Sequence, residues 1–139
     1  MKSDILISIY PKYLEQIRNN KKNFEFRPFV IHDNYINVWV YETRPIMEVN
    51  TFMVVRKPIK KLSDSISKYY GLGNEKFIEN INNGRVGYEI VSVSTLSTPI
   101  SLKELKNLGL YNAPQNYLKI DNYPKLKQRL SHIDVNKMK

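Results

Sequence analysis

With 139 residues, 42% of them hydrophobic, the chain has the size and apolar content of one ordinary domain with a buried core. Its 22 basic and 13 acidic residues leave a formal net charge of +9, which favours an anionic partner: nucleic acid first, an anionic membrane surface second. The absence of cysteine excludes disulfide frameworks, thiolate zinc sites and cysteine nucleophiles, and two histidines far apart in the chain, His32 and His132, give no support to a metal or cofactor site.

Ile5 to Ile9 reads as a buried strand, β-branched and bounded by Pro11. The run is too short for a signal sequence or a membrane span, so the expectation is a cytoplasmic protein without a membrane partner. Pro11 opens a helix, where its missing N–H costs nothing. Tyr10, Tyr13, Leu14 and Ile17 form its predicted buried stripe, and Lys12, Glu15, Arg18 and Asn19 face out. Asn20 is a suitable left-handed C-cap.

The stretch Asn20-Lys21-Lys22-Asn23-Phe24-Glu25-Phe26-Arg27 follows. Phe24 and Phe26 alternate with Asn23, Glu25 and Arg27, the period of a strand with one apolar and one polar face. Glu25 and Arg27 thus share a face, with Lys22 at its entrance. A carboxylate between two cations offers both acceptors and donors to the edge of a small polar ligand. Charged residues on a strand are also often just solvated or paired across strands, so both readings stand here.

Pro28 ends the strand and Asp33-Asn34 marks a turn. Ile36 to Tyr41 is a central strand, and Trp39 on it reads as core. Glu42 to Pro45 is a loop, and Ile46 to Val55 the next strand. Ser63 to Tyr70 reads as a short helix ended by Gly71 and Gly73, with Tyr69-Tyr70 packing it onto the barrel. Asn74 caps a second helix, with Phe77, Ile78 and Ile81 inside and Asn83-Gly84 closing it. Val86 to Val93 is a strand. Leu102 to Leu108 is a helix with a capping box at Ser101 and Glu104, ended by Gly109. Tyr117 to Ile120 is a closing strand. Asp121 or Asn122 caps a last, basic helix from Pro124 to Ser131, and the tail to Lys139 is frayed. Lys60-Lys61 and Lys125, Lys127 and Arg129 are solvated clusters or an extension of a nucleic-acid track.

The pattern has no repeat, linker or second domain. One helix between the first two strands, a helical insertion and otherwise strands give an α+β fold: a small, partly open barrel of five or six strands with peripheral helices.

Four features together resemble the ASCH domain family of the PUA-like superfamily. They are Ile7-Ser8-Ile9-Tyr10-Pro11 with Ile17; Lys22-Asn23-Phe24-Glu25-Phe26-Arg27, similar to the signature G-x-K-x-x-E-x-R; Val40-Tyr41-Glu42-Thr43-Arg44-Pro45; and Pro99-Ile100-Ser101-Leu102-Lys103-Glu104-Leu105 with Ala113-Pro114-Gln115-Asn116-Tyr117, similar to a late P-P-Q-S-F/Y element. The resemblance spans about residues 4–120, leaving the basic helix and tail 121–139 outside it in a single domain 1–139. Asn20 stands where the family has Gly, Ala113 where Pro is usual, and Asn116 in place of a small hydroxyl residue.

The resemblance implies a PUA-like β-barrel of mixed strands. Its cleft would be lined by Lys22, Glu25 and Arg27, with Tyr41, Thr43 and Arg44 on the opposite lip. It implies a regulatory module that binds RNA, single-stranded nucleic acid or a modified nucleoside. An alternative is a small hydrolase acting on RNA or an acylated nucleoside, with Lys22 and Glu25 as its catalytic pair. In the cytidine amidohydrolase branch that this resembles, a Lys and a Thr of the signature act with a helical Glu; Lys22 matches the Lys, but Glu25 occupies the Thr position. A third expectation is an accessory factor with a protein partner. No cofactor or metal is expected.

Overall fold

The computed structural model describes residues 3–60 and 74–139. The predicted helix at Ser63 to Tyr70, its glycine stop and Lys61 lie outside them. The first strand, β1 (Ser3–Ile9), leads into α1 (Pro11–Arg18) and β2 (Phe24–Arg27). Then come β3 (Tyr35–Glu42), β4 (Glu48–Arg56), α2 (Asn74–Asn82) and the long β5 (Val86–Ser101). The chain ends with α3 (Leu102–Asn107), β6 (Leu118–Lys119), a 3-10 turn (Ile120–Asn122), α4 (Pro124–Ser131) and β7 (Val135–Lys137).

The strands run β2-β5-β4-β3-β1-β6 in one mixed, curled sheet, with β7 also pairing β5. Among the described residues only β1 and β3 are parallel, joined by a crossover that contains α1 and β2. The curl makes a half-barrel, an α+β fold. Its seam lies between the outer edge of β2 and the edge formed by β1 and β6.

Period-two alternation divides the core in two. Ile5, Ile7 and Ile9 face the barrel interior with Ile36, Val38, Val40, Met53 and Val55, and Leu14 and Ile17 of α1 join them. Leu6, Tyr41 and Val49 face the other side, where Leu105, Leu126 and Leu130 bring in α3 and α4. Trp39 packs against this second cluster, its ring 4.5 Å from Phe52.

Several local expectations shift. Tyr10 is not on the buried stripe of α1: its backbone is extended (φ −65°, ψ 145°), so it precedes the helical wheel and its ring is 66% exposed. Arg18 does not face out but turns into a polar cluster described below. Asn20 does adopt the left-handed conformation, with φ 60°. Ile78 is exposed, outside the expected buried face of its helix. Ser101 caps α3 by accepting the Glu104 N–H at 3.1 Å, while the Glu104 carboxylate pairs with Arg129 at 2.8 Å. Tyr123, not Asp121 or Asn122, occupies the N-cap position of α4, because the 3-10 turn takes up those two residues. The tail is not frayed: Ser94, Thr95 and Leu96 of β5 pair with Lys137, Asn136 and Val135.

Candidate functional site

The register between β2 and β5 decides which way the signature residues point. Glu25 lies opposite Tyr88 and Arg27 opposite Val86, both buried residues of the interior cluster. The polar face of β2 therefore turns inward. Phe24 and Phe26 lie on the other face, opposite Glu89 and Gly87, with their rings stacked 6.1 Å apart.

Glu25 is only 9% exposed, and two cations hold it. Lys22 Nζ lies 3.5 Å from Glu25 Oε1, and Arg27 Nη2 lies 3.4 Å from Glu25 Oε2. Lys22 also donates to the Phe24 carbonyl and sits over the Phe26 ring, 5.4 Å from its centroid. Arg27 Nη2 reaches across the seam and donates to the Ser8 carbonyl of β1 at 2.7 Å. This side-chain bond closes the barrel where, among the described residues, no strand ladder does. Two cations and one carboxylate leave the triplet with a positive surplus, in a setting dry enough to strengthen its field.

Behind the triplet is a hollow lined by Glu25 and Arg27 together with Ile7, Val38, Met53 and Tyr88. The space between these walls is about 260 Å³ with open solvent included, but the part a water centre can occupy is about 10 Å³. That is room for one water and far too little for a base.

The segment after β2 covers the seam. Phe29 packs on Tyr117 at 4.4 Å between ring centroids, and on Tyr88 at 5.7 Å. Tyr88 donates its hydroxyl proton to the Phe29 carbonyl at 2.7 Å and accepts from the Ile31 N–H at 3.0 Å. Burial pushes the Tyr88 phenol up to about 12. At the far end of the segment, Asp33 accepts from the N–H and hydroxyl of Ser3, each at 2.7 Å. The Ser3 hydroxyl bond holds the Asp33 carboxyl below its usual range.

Of the six residues expected at a cleft, Lys22, Glu25 and Arg27 come together. Tyr41 does not join them. Its ring is buried in the second cluster, on the opposite face of the sheet, where burial raises its phenol and the Arg44 cation opposes the rise. Thr43 and Arg44 follow β3, and the Thr43 N–H bonds the Ile9 carbonyl at 3.1 Å, which sets this loop against the end of β1. Arg44 is exposed, whereas the Thr43 hydroxyl oxygen is buried with no hydrogen-bond partner among the described residues.

A second polar cluster has no counterpart in the sequence reading. Arg18 Nη2 lies 3.1 Å from Glu42 Oε1, 3.0 Å from Asn50 Oδ1 and 2.9 Å from Thr51 Oγ1. Asn50 donates to the same Glu42 oxygen at 2.7 Å. Asn50 is an extra residue of β4 against β3, and the register with β5 shifts at the same place, where β5 runs from Thr95 to Ile100 between the partners of Thr51 and Val49; Val49, Asn50 and Thr51 are buried in succession. No signal in the sequence marks that bulge.

Among the described residues no group of three or more potential ligands could hold a metal, and no helix is long and apolar enough to cross a membrane. No protein-family model matches the chain, and no curated protein matches it. Solved structures do. The ASCH protein from Zymomonas mobilis is 19% identical over 95% of this chain and 96% of its own, with a TM-score of 0.72. A tyrosine-to-phenylalanine mutant of that protein is 19% identical, with a TM-score of 0.73 over 96% of this chain and all of the other. A serine-to-alanine mutant gives 20% identity and a TM-score of 0.73 over 96% and 98%. At this identity the likeness establishes the fold, which is that of an ASCH domain.

Proposed function

We propose, starting from that ASCH fold, that the chain is a cytoplasmic, regulatory module that binds RNA or a modified nucleoside at the mouth of the seam. The observation that carries this reading is the inward-turned triplet with its positive surplus beside a hollow. Glu25 would accept from an amino or ring N–H of a base, and Lys22 and Arg27 would donate to carbonyls or a phosphate. Thr43 and Arg44 would contribute from the loop that abuts β1, and Tyr41 would support that loop from below.

Titration with a labelled single-stranded RNA at rising salt tests it. If about four phosphates are neutralised, affinity falls roughly fiftyfold between 50 and 200 mM salt. Lys22→Ala and Arg27→Ala should each flatten the salt slope by about 0.7. An affinity that stays level across that range would remove the proposal.

One contact favours hydrolysis as a second reading. Lys22 Nζ and Glu25 Oε1 are 3.5 Å apart, and each side chain is 12% exposed, an arrangement suited to acid–base work. On the binding reading, acylated cytidine and RNA both survive prolonged incubation. Turnover by the wild type that disappears in Lys22→Ala would replace binding with catalysis.

A further inference from the structure

Resting on the RNA-binding reading, we propose that Tyr10 is a stacking platform for bases of single-stranded RNA, at the end of the barrel where α1 begins. The hollow admits one water, so a base that meets this protein must be held outside it. The exterior near the end of β1 carries the groups for that contact.

Tyr10 leaves 66% of its surface in water, and its side chain makes no cap bond to the helix it precedes. An exposed tyrosine alone needs no explanation. Its surroundings make the case here. Tyr13 lies beside it with ring centroids 6.3 Å apart and planes tilted by 51°. Tyr13 packs against the interior cluster, so it is a fixed backing rather than a free ring. Lys12 Nζ stands 5.9 Å from the Tyr13 centroid. The Thr43–Ile9 backbone bond brings the following loop to the same end of the barrel, with Arg44 exposed on it.

The spacing of the two rings is too tight to admit a base between them, so stacking uses the open face of Tyr10. Lys12 and Arg44 then supply charge for the flanking phosphates. This chemistry fits a single strand: bases in a duplex already stack on each other and cannot lie on a protein ring. It reads no base edge and so tolerates any sequence.

Anisotropy of a fluorescein-labelled oligouridylate at low salt, alone and annealed to its complement, tests this. Tyr10→Ala should weaken binding of the single strand about 5- to 150-fold, the worth of one stacked base. Tyr10→Phe should bind as the wild type does, and the duplex should bind more weakly than the single strand. Unchanged affinity in Tyr10→Ala, with the wild type binding well, overturns the platform and leaves RNA binding standing. Equal losses in the Ala and Phe variants also overturn it, because the hydroxyl and not the ring would then matter. No binding by the wild type brings down both readings together.

Discussion

Arg18→Ala will destabilise the fold by about 3–5 kcal/mol, the cost of stripping a buried charge of its partner. Three acceptors, from Glu42, Asn50 and Thr51, lie within hydrogen-bond distance of one nitrogen, Arg18 Nη2. That nitrogen has two protons, so one bond is shared. The Glu42 side chain is 6% exposed against 24% for Arg18, so alanine at position 18 leaves the carboxylate dry with Asn50 as its remaining donor. Arg18→Lys should fall between wild type and alanine: an ammonium has three protons for the three acceptors, but its stem is shorter and the guanidinium fork is lost. Urea unfolding of Arg18→Ala, Glu42→Gln and the double variant checks the assignment. The double variant should be more stable than the sum of the single losses implies, since a neutral amide in place of the Glu42 carboxylate no longer needs the cation. A midpoint for Arg18→Ala within the error of the wild type would show that the cluster contributes nothing.

This arginine also marks where the sequence stops being readable. Helical spacing identified Leu14 and Ile17 as the buried face of α1, and both are fully buried. Arg18 follows Leu14 by one turn, at the border of that face, and a border cation ordinarily snorkels to water. It turns in because its acceptors lie 24 to 33 residues further along the chain, one of them on a bulge. Nothing local encodes that meeting.

The same limit applies to the signature strand. Its period of two is written in Phe24, Glu25, Phe26 and Arg27, but which face enters the barrel is set by the pairing with β5. A shift of one residue would have exchanged the faces. For Tyr41, the strand was legible and the side was not: β3 is buried on both faces, so alternation carries no sign. The strands β5 and β7 fail in another way. β5 runs on to Ser101 past Pro99, beyond the apolar run that announced it, because β4 pairs with it to the end. Val135-Asn136-Lys137 has no strand pattern of its own and is extended because it has the edge of β5 to pair with.

High pH should loosen the cover of the seam, and Tyr88 is the group that makes it do so. Its phenol is raised to about 12, first by burial, with the Ile31 N–H opposing and Tyr117 adding to the rise. An unfolded tyrosine titrates near 10. The folded state therefore holds this proton more tightly, and the resulting stability is whole below pH ~10. It is lost as pH climbs through ~12, a difference of about 2–3 kcal/mol. The ionised phenolate could still accept from Ile31 but could no longer donate to the Phe29 carbonyl, so the segment over the hollow would lose one of its two ties to Tyr88. Tyr88→Phe removes both ties at every pH and should cost about 1–3 kcal/mol near neutrality. Measured by urea unfolding from pH 8 to 12, the two proteins should differ most at the low end and converge at the high end. Curves that stay parallel over that range would mean that the hydroxyl is not what fastens residues 29 and 31, and that the seam and its cover are held by Arg27, the Phe29–Tyr117 contact and the Asp33–Ser3 bonds instead.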